Sequence, residues 1–235
     1  MTRREPGSDR GVALITVLLV SSFVFVVGVG LALVMMVGQL AARNHREAAA
    51  LLAAADGGLD LAADALIGVD WQAALGGLAV APQSDGAPSG VRRVAGSSVD
   101  LAAETNRQNC GRTSACSAAD LAAISAERPW GVNNPVWQLF LFAPLAGLGE
   151  FRFATDMYVL VWVADDGRET DGRPDLDGGN AAGRNALRAR AMAVGREGGR
   201  RVVDAEIVRV CLDGRPTCEP GIRVQSQREV RYALP

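Results

Sequence analysis

VALITVLLVSSFVFVVGVGLALVMMVG, residues 12–38, contains no charged side chain. A helix needs about 20 apolar residues to cross a bilayer core, and this run is longer. It also exceeds the roughly 7–15 residue apolar core of a cleaved secretory signal, so the segment is expected to remain in the chain as a membrane anchor. Arg3, Arg4 and Arg10 precede it. Basic residues stay on the cytoplasmic side, which predicts a single pass with the N-terminus inside and the remainder exported.

Residues 39–66, QLAARNHREAAALLAAADGGLDLAADAL, continue the helical pattern with residues of high helix propensity. Leu51, Leu52, Ala55, Leu59, Ala62, Ala63 and Leu66 recur near the helical period and form an expected buried stripe. Asp56, Asp60 and Asp64 share another face, and Arg43 and Glu47 have i,i+4 spacing for an ion pair. Gly57 and Gly58 mark a place for a bend. At about 1.5 Å per residue a helix over 12–66 is a rod of roughly 80 Å, of which only the first part fits in lipid.

Beyond the helix, residues 67–95 are rich in Gly, Ala and Pro and read as a linker, with Trp71 anchoring its start. Residues 96–235 form the expected soluble head. Ser117 is a predicted N-cap for a short helix over 118–126, and Asn133-Asn134-Pro135 a turn. Strands are predicted over 136–142, 153–164, 187–194, 202–212 and 222–232, with alternation clearest in VVDAEIVRV and RVQSQREVRY. The expected fold class is α+β, a long helix against an antiparallel sheet with irregular loops.

The chemistry-bearing residues are sparse. His45 is the single histidine, and no G-x-S-x-G, H-E-x-x-H or P-loop pattern occurs, so an enzyme is not expected. The chain has 24 basic residues, all arginine, against 26 acidic, and 5% aromatics, which disfavours a nucleic-acid binder. Arg184, Arg188, Arg190, Arg196, Arg200 and Arg201 form a local basic cluster, but acidic residues are interspersed. The four cysteines allow three pairings, and sequence does not choose among them. The local pairs Cys110–Cys116 and Cys211–Cys218 are favoured, because each closes a short loop of turn-forming residues in an exported, oxidising compartment. Their spacing is wider than a zinc knuckle. In 164–184, Asp165, Asp166, Asp171, Asp175, Asp177 and Asn180 concentrate oxygen ligands of the kind calcium takes, without matching an EF-hand. Calcium is the one cofactor candidate, and the same residues also serve as ordinary turn formers.

Met1 to Gly11, a short polar leader with arginines ending in glycine, followed by Val12-Ala-Leu-Ile-Thr16 and the apolar helix, resembles the class III leader of type IV prepilins. The wording RGVALITVLLV is similar to PilX-type pilus assembly proteins and to K-type pseudopilins of type II secretion. Residues 128–139, RPWGVNNPVWQL, resemble a segment that recurs in the PilX-type group. The resemblance implies cleavage by a prepilin peptidase between Gly11 and Val12, N-methylation of Val12, and a minor pilin or pseudopilin acting in assembly, priming or at the tip of a filament. Its implied partners are other pilins, the prepilin peptidase, the inner-membrane assembly platform and membrane lipid. Thr16 stands where major pilins carry a glutamate, which suits a tip or initiating subunit. Gly28, Gly30 and Gly38 would allow close helix packing in the filament. K-type pseudopilins bind calcium, which bears on the acidic loop. The bland reading of Trp130 and Trp137 is core packing, and the alternative function is a membrane-anchored adhesin or DNA-binding module.

Overall fold

The computed structural model describes residues 9–127, 134–148, 156–168, 172–177, 185–211 and 220–230. One helix, α1, runs Asp9–Ile67. It is followed by α2 (Trp71–Leu75), the hairpin β1 (Val91–Val94) and β2 (Ser97–Asp100), α3 (Leu101–Cys110), α4 (Ala118–Glu127), β3 (Gln138–Pro144), β4 (Tyr158–Asp165), β5 (Ala186–Val194), β6 (Arg200–Cys211) and β7 (Pro220–Val230). The chain divides into two units, residues 1–47 and 48–235. The class is α+β: a long apolar N-terminal helix and an antiparallel sheet of five strands in the order β3-β4-β5-β6-β7.

In the larger unit the sheet carries a separate apolar cluster on each face. On one face lie Leu51, Ala55, Leu59, Ala62 and Leu66 of α1 with Trp71 and Leu75, against Val159, Val161, Val163, Leu187, Ala189, Ala191, Ala193 and Val203. This is the stripe read from the helical period. On the other face Val94, Val99 and Leu101 cover Phe142, Leu160, Trp162, Met192 and Val202. With both faces covered, all eight residues of β4 are buried, so YVLVWVA is a continuous apolar run rather than an alternating one, ending at the buried Asp165. β5 meets the helix through Ala189, Ala191 and Ala193, whose small side chains let the helix approach closely. The approach is tightest at Gly58, where an added Cβ would lie inside 3.0 Å of Val159 Cγ1. The Gly57-Gly58 pair therefore does not end or interrupt α1, which continues through it. Gly58 is there because a side chain would not fit.

The expected linker over 67–95 contains ordered structure. Asp70 caps α2 by accepting the Gln72 N–H at 3.1 Å. Trp71 is buried, donates Nε1–H to the Leu66 carbonyl at 3.0 Å and lies under the Arg209 guanidinium at 4.2 Å. Ala81 and Asp85 donate backbone N–H groups to the carbonyls of Phe140 (2.7 Å) and Phe142 (2.9 Å), which covers the outer edge of β3. Arg92 then fixes the loop, donating to the Asp85 carboxylate (3.0 Å) and to the carbonyls of Asp85, Ala87 and Ser89. Tyr158 donates to the same carboxylate at 2.7 Å. At the opposite edge, β7 pairs with β6 through a bulge between Glu206 and Ile207, and residues 225–229 are exposed.

α3 is capped at its start by Asp100, which accepts the Ala103 N–H at 3.0 Å, and closed by Gly111 in the left-handed region. α4 begins as read from sequence: Ser117 Oγ accepts the Asp120 N–H, while Asp120 accepts from the Ser117 hydroxyl and N–H, a reciprocal cap. This contact, together with Arg112, holds the Asp120 carboxyl below its ordinary range. The expected Arg43–Glu47 ion pair does not form; both side chains point to solvent or partly so, and an exposed pair of this kind gains little.

Candidate functional site

The most distinctive surface is that of α1 itself. From Val12 to Leu40 its large apolar side chains are exposed on all sides. The helix is long and apolar enough to cross a membrane, and its most apolar window has no buried residue. The polar groups inside this stretch are satisfied within the helix. Thr16 Oγ1 donates to the Val12 carbonyl at 2.9 Å, and Ser22 Oγ to the Leu18 carbonyl at 2.6 Å. In a medium without water such back-bonding removes the cost of an unpaired hydroxyl. Thr16 thus offers a neutral, internally paired surface where a carboxylate would need an external partner. Gly28, Gly30 and Gly38 have open space around the position of a Cβ, so nothing inside the chain requires glycine there. α1 already includes Asp9, Arg10 and Gly11, so the Gly11–Val12 bond lies within helical backbone.

Four of the six candidate calcium ligands after β4, Asp165, Asp166, Asp175 and Asp177, are described. Asp165 and Asp166 are buried at the strand end, and Asp166 accepts the Arg168 N–H at 3.2 Å. Asp175 takes both guanidinium branches of Arg173 at 3.0 Å, which lowers its pKa. Asp177 accepts the Asn185 N–H at 2.9 Å. Asp171 and Asn180 lie outside the described residues. Among the described residues no group of three or more His, Cys, Asp or Glu side chains is placed to hold a metal ion. Asp166, Asp175 and Asp177 thus accept from groups of the loop itself.

Cys110 and Cys116 are bonded, with Cα atoms 5.9 Å apart, tying the end of α3 to the turn before α4. Cys211 closes β6, and Cys218, its expected partner, lies outside the described residues. Trp137 is buried, as expected for core packing, while Trp130 lies outside the described residues.

The arginine cluster does not form a free basic patch. Arg190 grips Asp204 with both branches (2.6 and 2.8 Å) and stacks over Trp137 at 4.6 Å. Arg188 lies 5.7 Å from the same ring and 3.9 Å from Asp204. Burial lowers its pKa, opposed by Asp204. Arg200 and Arg107 both donate to the buried Glu104 at 2.8 Å. Arg196 pairs with Asp156, and Arg201 with Glu229 at 3.4 Å. Arg184 lies outside the described residues. An open cleft of about 340 Å³ sits beside this network, lined by Asp166, Arg168, Arg188, Asp204, Glu206 and Arg228 among others. Glu104 and Asp204, the acids that organise these arginines, were not singled out from sequence. An acidic residue within an alternating strand or a polar helix carries no mark of burial until its partners across the sheet are known.

No protein-family model, no curated protein and no solved structure matches the chain.

Proposed function

We propose that the chain is a minor pilin or pseudopilin: a structural subunit of a type IV pilus or type II secretion filament, acting in assembly, priming or at the tip. The observation that carries this reading is the division of labour along one helix. Residues 12–40 of α1 present uncharged apolar side chains all round, whereas from Leu51 the same helix is one wall of the head's core. A soluble protein does not leave so much apolar helix uncovered, and an ordinary anchor has no need to continue into the core of the exported domain. A subunit that waits in lipid and then packs among similar helices needs both. The resemblance of residues 1–16 to a prepilin leader supports the same conclusion.

In this reading the prepilin peptidase cuts after Gly11, Val12 becomes the methylated N-terminus, and the helix sits in the inner membrane with the head in the periplasm before extraction into the filament. Thr16, having no charge to neutralise, fits a subunit that starts or caps a filament. Gly28, Gly30 and Gly38, which nothing within the chain explains, are the positions where a neighbouring helix would come closest. The arginine cluster is matched by carboxylates within the head, which favours a structural role for it over nucleic-acid binding.

Co-expression with a prepilin peptidase, followed by N-terminal sequencing and intact mass, tests the reading. The expected product begins at Val12 and cofractionates with filaments. A chain that keeps its first eleven residues, or that never enters a filament, refutes it.

A further inference from the structure

The open cleft beside the arginine network has a regular construction. Strand pairing sets Arg190, Asp204 and Arg228 in one row across β5, β6 and β7, and Arg188, Glu206 and Ser226 in the next. Positions 188, 190, 204 and 206 alternate in step with Met192 and Val202, so they share the face that carries the second apolar cluster. The layer covering that cluster reaches Arg190 through Gln108 of α3, which accepts from it at 2.8 Å. Among the described residues, none that lines the cleft belongs to β1, β2 or α3, so this end of the face lies open. The lining charges balance: Arg168, Arg188 and Arg228 against Asp166, Asp204 and Glu206. Asp204 is buried and held by both branches of Arg190, and Glu206 is held by Arg168 at 2.6 Å. Hydrogen-bonding capacity remains on groups of both signs. Arg228, with a side chain 72% exposed, meets Asp204 only at 4.0 Å, beyond hydrogen-bond length. Among the described residues Ser226 Oγ and Glu206 Oε1 have no hydrogen-bond partner, and Arg168 donates from its side chain through Nη2 alone.

We infer that this cleft binds an uncharged, polyhydroxylated ligand, a neutral saccharide unit. An anion would have to sit beside three carboxylates and a cation beside three guanidinium groups, so neither meets a complementary field. A hydroxyl both donates and accepts. Neighbouring hydroxyls on one ring can give to Glu206 and Asp204 while taking from Arg228, Arg168 and Ser226. Hydrogen bonds to charged groups are the stronger kind, and here the ion pairs already hold most of those groups in place, which lowers the ordering cost of binding. The same pairs keep the buried carboxylates compensated when the ligand displaces water. The cleft, at about 340 Å³, lies at the small end of the range of about 300–1,000 Å³ for small-molecule sites, which suits a sugar-sized unit. An extended peptide would need pockets for alternate side chains, and among the described residues Ala205 is the one apolar residue in the lining. The site lies wholly within residues 166–228, so it stands whether or not the chain enters a filament.

A glycan array probed with the full-length protein, held in a detergent without a sugar headgroup, tests the inference. Neutral oligosaccharides should be captured. Calorimetric titration with the neutral glycan of strongest signal should give an affinity that is the same at low and high salt, since no net charge is being neutralised. Ser226→Ala/Arg228→Ala should weaken that glycan about tenfold or more, because two donors are lost. Both residues are exposed, so the variant should keep the parent Tm. Arg93→Ala, exposed on β1 and outside the lining, should leave the affinity unchanged. Failure to capture any neutral glycan refutes the inference. Capture confined to sialylated or sulfated glycans, and lost in salt, would indicate an anion site instead. Unmodified peptides printed on the same array provide the other comparison, and their capture in place of glycans would make the cleft a peptide groove. Neutral-glycan binding that survives Ser226→Ala/Arg228→Ala with Arg168→Ala added would put the ligand elsewhere on the molecule. Each of these results overturns the proposal.

Discussion

Replacing Gly58 by alanine reverses the usual effect of that substitution. In an unobstructed helix, Gly→Ala stabilises by about 1 kcal/mol. Here the new methyl would fall inside 3.0 Å of Val159 Cγ1, against an ordinary carbon–carbon contact of about 3.5 Å. Val159 cannot yield easily. It is β-branched, fully buried, and belongs to a strand paired on both sides, by β3 and by β5. Overpacking of this kind costs about 1–3 kcal/mol, and the rigid site places it near the upper figure. Subtracting the gain in helix propensity leaves a net loss of about 2 kcal/mol, or a fall in Tm of about 4–8 °C for a domain of this size. Thermal unfolding of the full-length protein in detergent, followed by fluorescence of the buried Trp71, Trp137 and Trp162, measures it. Val159→Ala should be costly alone, yet nearly free in the Gly58→Ala background, because it removes the methyl that clashes. Gly195→Ala is the contrasting control. Its Cβ would meet the Leu51 side chain, nearest at Cδ2 at 2.9 Å, a terminal methyl on an unbranched-β side chain with more rotamer freedom than Val159. A rise in Tm for Gly58→Ala, or equal costs of Val159→Ala in both backgrounds, would refute the packing argument.

The remaining predictions concern the head. Asp204→Asn removes the carboxylate shared by Arg190, Arg188 and Arg228 and should cost about 3–5 kcal/mol, read as a shift in denaturant midpoint. Reducing Cys110–Cys116, which closes a loop with a sequence separation of 6, should cost about 2 kcal/mol, seen as a lower Tm in reductant that a Cys110→Ser/Cys116→Ser variant reproduces without reductant. Burial, and then the neighbouring Asp85, push the Tyr158 pKa up, so the folded state holds this proton more tightly than the unfolded chain. The corresponding stability is complete below the ordinary tyrosine pKa of about 10 and declines as pH rises above it. Tm should therefore drop above about pH 10, and less steeply in Tyr158→Phe.

The elements whose hydrophobic period is set by one covered face were legible in the sequence. The stripe from Leu51 to Leu66, the strands β5, β6 and β7, and the Ser117 cap all lie where local pattern places them. Structure within 67–95 was not legible, because its order comes from distant partners: the β3 edge that takes the Ala81 and Asp85 amides, and Tyr158, which shares Asp85 with Arg92. α3 was missed for a similar reason. Leu101-Ala-Ala-Glu-Thr-Asn-Arg is a polar helix whose buried contacts, Glu104 with Arg200 and Thr105 with the Trp162 indole, run to strands far along the chain. In the candidate site, the exposed apolar span and the neutral Thr16 were plain from composition. The acidic loop was ambiguous because Asp and Gly serve turns and cations alike, and only the positions of Arg173 and the Asn185 amide show how Asp175 and Asp177 are used.

The two borders of the five-stranded sheet are treated unequally. The β3 border is sealed by its own chain, while the β7 border is dressed with Arg228, Glu229 and a bulge. Any arrangement that crowds many of these heads together raises the danger that sheets concatenate indefinitely, strand upon strand. A stopper on one side and a charged, kinked selvage on the other leave such growth no starting point, so close neighbours can be tolerated without the heads fusing into an aggregate.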